Sequence, residues 1–492
     1  MGILDEFDPR RDGWFFQNWG EATEFDWDLY RRTYLAIIPT NDVAAAPLDV
    51  AFFQIFKSCA AQGNCGGMSM LALALFKYGG YMGYGSPANF YTGVSGPDRP
   101  DLHQAINIMQ ARQFSAAGIR NFLDVVKANQ LNDGIAAYDR IVSGLGSGDY
   151  CMLSLSNGLF GTAAHTIIPY RAEMVGSSRV LHVWNSNLPY DAYPQHYDND
   201  LNRIVITGPK SWSYDQTAGG VSGATIYNGS NNGWFFAIPT SLEIHKGRQP
   251  ISAGFVLTGL TTLFVSGIGA AVTQIEDEDG RRLYSSDRVH RSRGDLETLS
   301  DRKLTGVAPW PWPGGLSGEP PGELFFLERP PGSSPLRVTV RGDGYRVVHL
   351  SSGHLTELTA ASSGAVAKDS IVLGGSADDQ QEVVVSTGAA RRQFDIHCLR
   401  QESPGVWRSA RLRNAVVTKG SLAVRAPLGF DAVEISGTNA RRDVDFELRR
   451  FGDGRLATRR ATGRLAVGGS AIRMAPTSWD RLSRAKVEQL LA

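Results

Sequence analysis

"HTIIPYRAEMVGSSRVLHVWN", residues 165–185, sets two runs rich in β-branched and apolar residues on either side of Val175, Gly176, Ser177 and Ser178. Runs of this kind around a Gly/Ser turn are read as an antiparallel hairpin. A turn centred near Val175 brings the two ends of the hairpin together, with His165 opposite Asn185. An asparagine there can hold one imidazole nitrogen and leave the other free to act as a base. Trp184, next to Asn185, would keep water from that contact.

A base of this kind needs a nucleophile, and upstream of the hairpin the sequence offers one. "AAQGNCGGMSMLALALFKYGG", residues 60–80, places Cys65 directly before an apolar run that ends at Gly79-Gly80. The run is apolar nearly all round, which predicts a buried helix with its C-terminus at the glycines. The N-terminus of a helix presents unpaired N–H groups and the positive end of the dipole. Both favour a thiolate and are expected to pull the Cys65 pKa below the free value of about 8.5. Gly66 and Gly67 leave room beside the sulfur for a substrate backbone. The same residues suit a small core cysteine capping a buried helix, so this segment by itself leaves both roles open.

The chain has 492 residues, more than one ordinary core holds, so two or three domains are expected. With a formal net charge of +0 and basic residues interleaved with acidic ones, no nucleic-acid partner is expected. Cys59, Cys65, Cys151 and Cys398 are too scattered for a disulfide framework or a zinc site, and no metal or cofactor is expected. Cys151, in "DYCMLSL", reads as a buried strand residue. A Cys59–Cys65 bridge would abolish the thiolate and does not suit a reducing cytosol. "MGILDEFDPRRDGWFF" lacks the pattern of a signal peptide, so a cytoplasmic location is expected, with export by signal-independent machinery left open.

Residues 1–250 mix helical and strand patterns. Trp14, Phe15, Phe16, Trp19, Phe25, Trp27 and Tyr30 are expected to anchor the N-terminal segment onto a core. Residues 101–130 show the three- and four-residue apolar spacing of helices. After residue 250, short alternating runs such as "LRVTV", "YRVVHL", "QEVVVST", "FDIHCL" and "LAVRA" recur between turn residues. They predict an all-β sandwich or barrel. The uncharged stretch 249–274 is long enough for a membrane span, but its Gly, Thr and β-branched content favours two strands and a turn. Residues 308–335 read as a Pro/Gly-rich loop, "EDEDG" at 276–280 as a solvated turn, and 476–492 as an amphipathic helix. No sustained repeat is evident.

"NCGGMS", "AHTIIPYRAEMVGSSRVLHVWNSNLPY" and the later "WSYD" together resemble the papain-like cysteine peptidases, and most closely a bacterial C-x-GMS subgroup. The resemblance covers roughly residues 50–240. It implies a papain-like N-terminal domain over 1–250, with a helical part and an antiparallel β part; with the β-rich accessory domain that the alternating runs predict over 251–475, the expected fold class is α+β. It also implies that Cys65 is the nucleophile, His165 the base and Asn185 its orienter, with Asn187 as the fallback. The family's oxyanion-hole glutamine stands six positions before the nucleophile, where this chain has Cys59. Gln62 is the nearest glutamine and the candidate donor. The subgroup usually carries Asp where this chain has Asn185, whereas papain itself uses Asn. His182, His103 and His196 have no evident catalytic partner.

The expected activity is hydrolysis of peptide or isopeptide bonds through a cysteine acyl-enzyme, with a protein or peptide as substrate. An acyltransferase, deamidase or amidase on the same fold would share that chemistry. The third reading is a silent scaffold whose β-rich half binds a partner protein or a glycan.

Overall fold

The structure is a computed structural model. It describes residues 3–4, 7–20, 25–33, 53–54, 57, 63–87, 99–157, 164–221, 224–231, 233–244, 260–267, 269–277, 279–285, 307–309, 322–328, 335–351, 354–374, 381–403, 406–418, 420–426, 430–437, 442–452, 455–465, 471–479, 482 and 486–490. Within them the chain mixes helices with antiparallel sheets and is mostly β.

The first half is built on an eight-stranded sheet. Its strands are β1 (Ile3–Leu4), β2 (Cys151–Leu155), β3 (His165–Val175), β4 (Ser178–Trp184), β5 (Arg203–Gly208), β6 (Ser211–Asp215), β7 (Ile226–Asn228) and β8 (Phe235–Pro239). They lie in the order β7-β6-β5-β4-β3-β2-β8, with β1 added against β3. Among the described residues, seven helices accompany them: α1 (Trp27–Thr33), α2 (Cys65–Tyr78), α3 (Pro100–Arg112), α4 (Ala116–Lys127), α5 (Gly134–Ser147), α6 (Pro194–Asp198) and α7 (Thr240–Ile244).

Strand alternation gives this sheet two apolar faces. Leu153, Ile167, Leu181, Val183 and Ile204 pack with Ala137, Tyr138 and Ile141 of α5. Met152, Ile168, Trp184 and Phe236 join a second cluster with α2, α3 and α4. A sheet covered on both sides in this way is a three-layer arrangement. The β3–β4 hairpin is present, but its turn lies at Gly176-Ser177, with Val175 paired to Ser178. Gly176 supplies the positive φ of 62° that this two-residue turn requires. A bulge between Pro169 and Arg171 then shifts the register by one, so Ile168 faces Trp184.

The second half is two nine-stranded sheets packed face to face. One includes Leu260–Ser266, Glu323–Glu328 and Tyr345–Ser351; the other includes Ala271–Glu276, Leu336–Gly342 and Gln381–Thr387. Successive hairpins are dealt alternately to the two sheets: 345–360 to the first, 367–387 to the second, 392–417 to the first, 421–437 to the second, 442–465 to the first, 471–490 to the second. The uncharged stretch contributes two strands, as its residues predict, yet they do not pair with each other. Leu260–Ser266 enters one sheet and Ala271–Glu276 the other.

Two expectations are corrected. The Pro/Gly-rich region contains a strand, Glu323–Glu328, paired along its whole length with Leu260–Ser266. Its Leu324, Phe325, Phe326 and Leu327 are buried, and that apolar run outweighs the flanking prolines. The C-terminal helix is, among the described residues, a strand: Lys486–Leu490 pairs with Ala471–Ala475. An open sheet edge offers a row of unpaired N–H and C=O groups, and this pairing overrides the helical propensity of the Lys, Glu, Gln and Leu residues there.

The first sheet of the sandwich is apolar on both faces. Leu263, Val265, Phe325, Leu327, Tyr345 and Val347 point to the sandwich interior. Phe264, Leu324, Phe326, Val348, Leu350 and Leu355, on the opposite face, belong to the same buried cluster as α2, α3 and α4. The two halves therefore share one core.

Candidate active site

The nucleophile candidate is the first residue of α2. Asn64 precedes it without making a side-chain cap, and Gly79 closes the helix with a left-handed φ of 64°. Every residue from Cys65 to Leu75 is buried. The glycines after the cysteine serve packing. A Cβ at Gly66 would collide with the Gln113 side chain, and one at Gly67 with the Ile106 carbonyl oxygen. The expectation that they clear a path for substrate gives way to this: they let α3 cross closely over the start of α2. The Gly67 N–H, one of the free donors of the first turn, is taken by the Gln110 Oε1 at 2.6 Å.

His165 is the first residue of β3, and its Nε2 lies 2.6 Å from the Oδ1 of Asn185. Neither residue is opposite the other in the ladder. β4 ends at Trp184, and Asn185 reaches the imidazole from the tight turn that follows, closed by a Leu188 N–H to Asn185 carbonyl bond of 2.9 Å. The amide orientation of Asn185 is set from three sides. Its Oδ1 also accepts the Asn187 N–H at 2.8 Å. Its Nδ2 donates to the Tyr214 hydroxyl at 2.7 Å, and that hydroxyl donates onward to Asn202 Oδ1. With Oδ1 obliged to accept, the His165 proton sits on Nε2, and Nδ1 keeps the lone pair. The fallback orienter, Asn187, helps through its backbone instead.

Cys65 and β3 meet at the residue after the histidine: a Thr166 backbone N–H is turned toward the sulfur, and the Ser69 hydroxyl one turn along α2 donates to the Thr166 carbonyl at 3.2 Å. Tyr227, stacked on Tyr214 at 6.1 Å, lies close enough for its hydroxyl to feel the charge of a Cys65 thiolate. The sulfur is fully buried, with 0% exposure, and His165 has 2%.

Burial decides the charges. It pushes the Cys65 thiol up to about 11, against the pull of N–H groups from Thr166, Gly66 and Cys65 itself. This reverses the expected depression, because desolvation of a fully buried thiolate outweighs the helix end. Burial likewise pushes His165 down to about 4, with the Asn185 hydrogen bond opposing. Burial thus favours the uncharged form of each group taken singly.

The sequence did not single out Tyr214 or Asn202. The "WSYD" string pointed to the first only as part of a motif; nothing in the residues around Asn202 marks it. Gln62 and Cys59 lie outside the described residues, and Cys65, Cys151 and Cys398 are free thiols. His182 is buried in a charged cluster with Arg171, Glu173 and Asp200, and His196 is buried beneath the turn at Gly219. Among the described residues, no group of three or more His, Cys, Asp or Glu could hold a metal, and no helix is long and apolar enough to cross a membrane. No family model, no curated protein and no solved structure matches the chain.

Proposed function

We propose that the chain is a papain-like thiol hydrolase that cleaves peptide or isopeptide bonds through an acyl-enzyme on Cys65. One observation carries this reading: a buried histidine, with its tautomer fixed through Asn185, stands on the strand whose next residue touches the sulfur of a cysteine at a helix N-terminus. In the proposed reaction the Cys65 proton passes to His165 Nδ1, and the imidazolium so formed is held by Asn185 through Nε2–H. The sulfur attacks the carbonyl carbon, and the developing oxyanion is met by N–H groups at the start of α2. His165 then gives its proton to the leaving amine, and water releases the acyl group. The accessory β half would recruit a substrate or regulate access, with a protein or glycan as its partner.

A silent scaffold is the competing reading, favoured by the burial of Cys65 and its raised pKa. Labelling with an epoxysuccinyl or iodoacetamide probe separates the two. The hydrolase reading expects Cys65 to react faster than free cysteine at neutral pH, and His165→Ala to remove that advantage. A sulfur that reacts no faster than free cysteine overturns it. Adding amine acceptors to a labelled acyl-enzyme, followed by mass spectrometry, tells a transferase from a hydrolase.

A further inference from the structure

The aromatic N-terminal segment was expected to be an anchor, and Trp14 and Phe16 are indeed buried. Its polar contacts do something more specific. Asn18 accepts the backbone N–H of Asn64, the residue before Cys65, on its Oδ1 at 2.8 Å. The backbone N–H of the same Asn18 donates to the carbonyl of Ser186, the residue after Asn185, at 2.8 Å. One residue therefore stitches the mouth of α2 to the turn that orients His165. The stitch closes a ring: Cys65, Asn64, Asn18, Ser186, Asn185, His165 and, through Thr166, back to the sulfur. Asn18 is 7% exposed, and Asn64, Ser186 and Asn185 are 0% exposed, so water does not compete for these bonds.

The neighbours of Asn18 each add a bond to one side or the other. Trp14 donates to the Met68 carbonyl on α2 at 2.9 Å, and the Trp19 carbonyl accepts from the Asn64 side chain at 3.1 Å. On the other side, Gln17 donates to the Asn187 carbonyl at 3.3 Å. α2 and the turn after β4 are far apart in the chain. Displacements of about 1 Å can cost a reaction roughly a hundredfold. A residue that bonds the backbone on both sides sets that separation.

We propose that Asn18 is a positioning residue: it fixes the distance between Cys65 and the His165–Asn185 pair by clamping the backbone beside each. The proposal rests on the hydrolase reading. Its test is the rate of Cys65 alkylation by iodoacetamide between pH 5 and pH 10, on the full chain with Cys59→Ser, Cys151→Ser and Cys398→Ser, and with near-UV circular dichroism as the check of folding. On the hydrolase reading the starting protein shows an acid limb, with reaction persisting below pH 7, because passing the thiol proton to His165 forms an ion pair whose mutual attraction offsets the burial that keeps each group neutral on its own. Asn18→Leu removes the acceptor at similar volume and is expected to lower the rate on that limb about tenfold or more. Asn18→Asp keeps an acceptor oxygen in place and is expected to retain the limb. Trp14→Phe loses the neighbouring bond to Met68, and is expected to leave the profile unchanged while lowering the melting temperature. If Asn18→Leu does not fold, Asn18→Ala takes its place. An unchanged acid limb in a folded Asn18→Leu or Asn18→Ala protein overturns the clamp, as does its loss in a folded Asn18→Asp protein. A starting protein without any acid limb overturns the hydrolase reading itself, which the variants would not have touched.

Discussion

His165 shows how a single residue's surroundings set both its chemistry and its effect on stability. Its folded pKa is pushed down to about 4 by burial, below the ordinary value of 6.5. Above pH 6.5 both folded and unfolded chains carry a neutral imidazole, and the group has no pH-dependent effect. As the pH falls from 6.5 towards 4, the unfolded chain takes up a proton that the folded chain refuses, so stability is lost. The loss is at most about 1.4 kcal/mol per pH unit and levels off below the folded pKa. His354, also pushed down to about 4 by burial, adds a loss in the same window. Urea unfolding at pH 7 and pH 5 is expected to show that His165→Gln loses less stability between the two values than the unaltered protein. Equal losses would mean that the imidazole is not buried in the neutral form. At this scale the sequence was partly legible. Cysteine, histidine and asparagine announce themselves by residue type and order, whereas burial does not, and burial reversed the expected ionisation of Cys65.

Among the elements, the α2–α3 crossing is the tightest constraint at the candidate site. Gly66 and Gly67 both lie where α3 approaches, but they meet different obstacles. At Gly66 the obstacle is the Gln113 side chain, and at Gly67 it is the backbone of α3 at Ile106 and Gln110. A side chain can turn aside, but a helix backbone moves only as a unit. Gly67→Ala is therefore expected to destabilise by about 2–4 kcal/mol, in the upper range for overpacking, and Gly66→Ala by less. In the Gln113→Ala background the Gly66→Ala cost should shrink while the Gly67→Ala cost persists, a pattern that chemical denaturation of the two single glycine variants, Gln113→Ala and the two double variants resolves. Equal costs in both backgrounds would place the crossing elsewhere. The existence of α2, its start and its stop at Gly79 were readable from the apolar run and the glycines. The purpose of Gly66-Gly67 was not, because a close approach from a distant helix leaves no trace in the local pattern. The hairpin shows the same limit: its two strands were evident, but the turn lay at Gly176-Ser177 and a bulge at Pro169 altered the register. Asn185 meets His165 from a turn rather than across the ladder, so the expected pairing is present at 2.6 Å although the register behind it is not.

For the whole molecule, the decisive feature is the first sheet of the sandwich, whose two faces are both buried. Period-two alternation in "LTTLFVS", "ELFFLE" and "YRVVHLS" sends one set of side chains to the partner sheet and the other to the core of the first half. Local pattern separated the β-rich half correctly, yet a strand apolar on both faces looks alike whether its second face meets a helix or a partner protein. Only the assembled chain shows that α2, which carries Cys65, and Phe326 share a core. A recruitment module on a free tether would unfold independently of the half that carries the site, whereas two halves joined through one apolar layer should melt together. Heating the full chain is accordingly expected to give one calorimetric transition. Phe326→Ser buries a hydroxyl in the shared cluster, removes a ring, and leaves the sandwich interior intact. That change is expected to split the transition into two, with the earlier one belonging to the half that contains α2 and reported by exposure of the Cys65 thiol. Two transitions already present in the unaltered chain, or a single one retained in a clearly destabilised Phe326→Ser protein, would show that the layer does not couple the halves; regulation of the candidate site through the sandwich would then need another route.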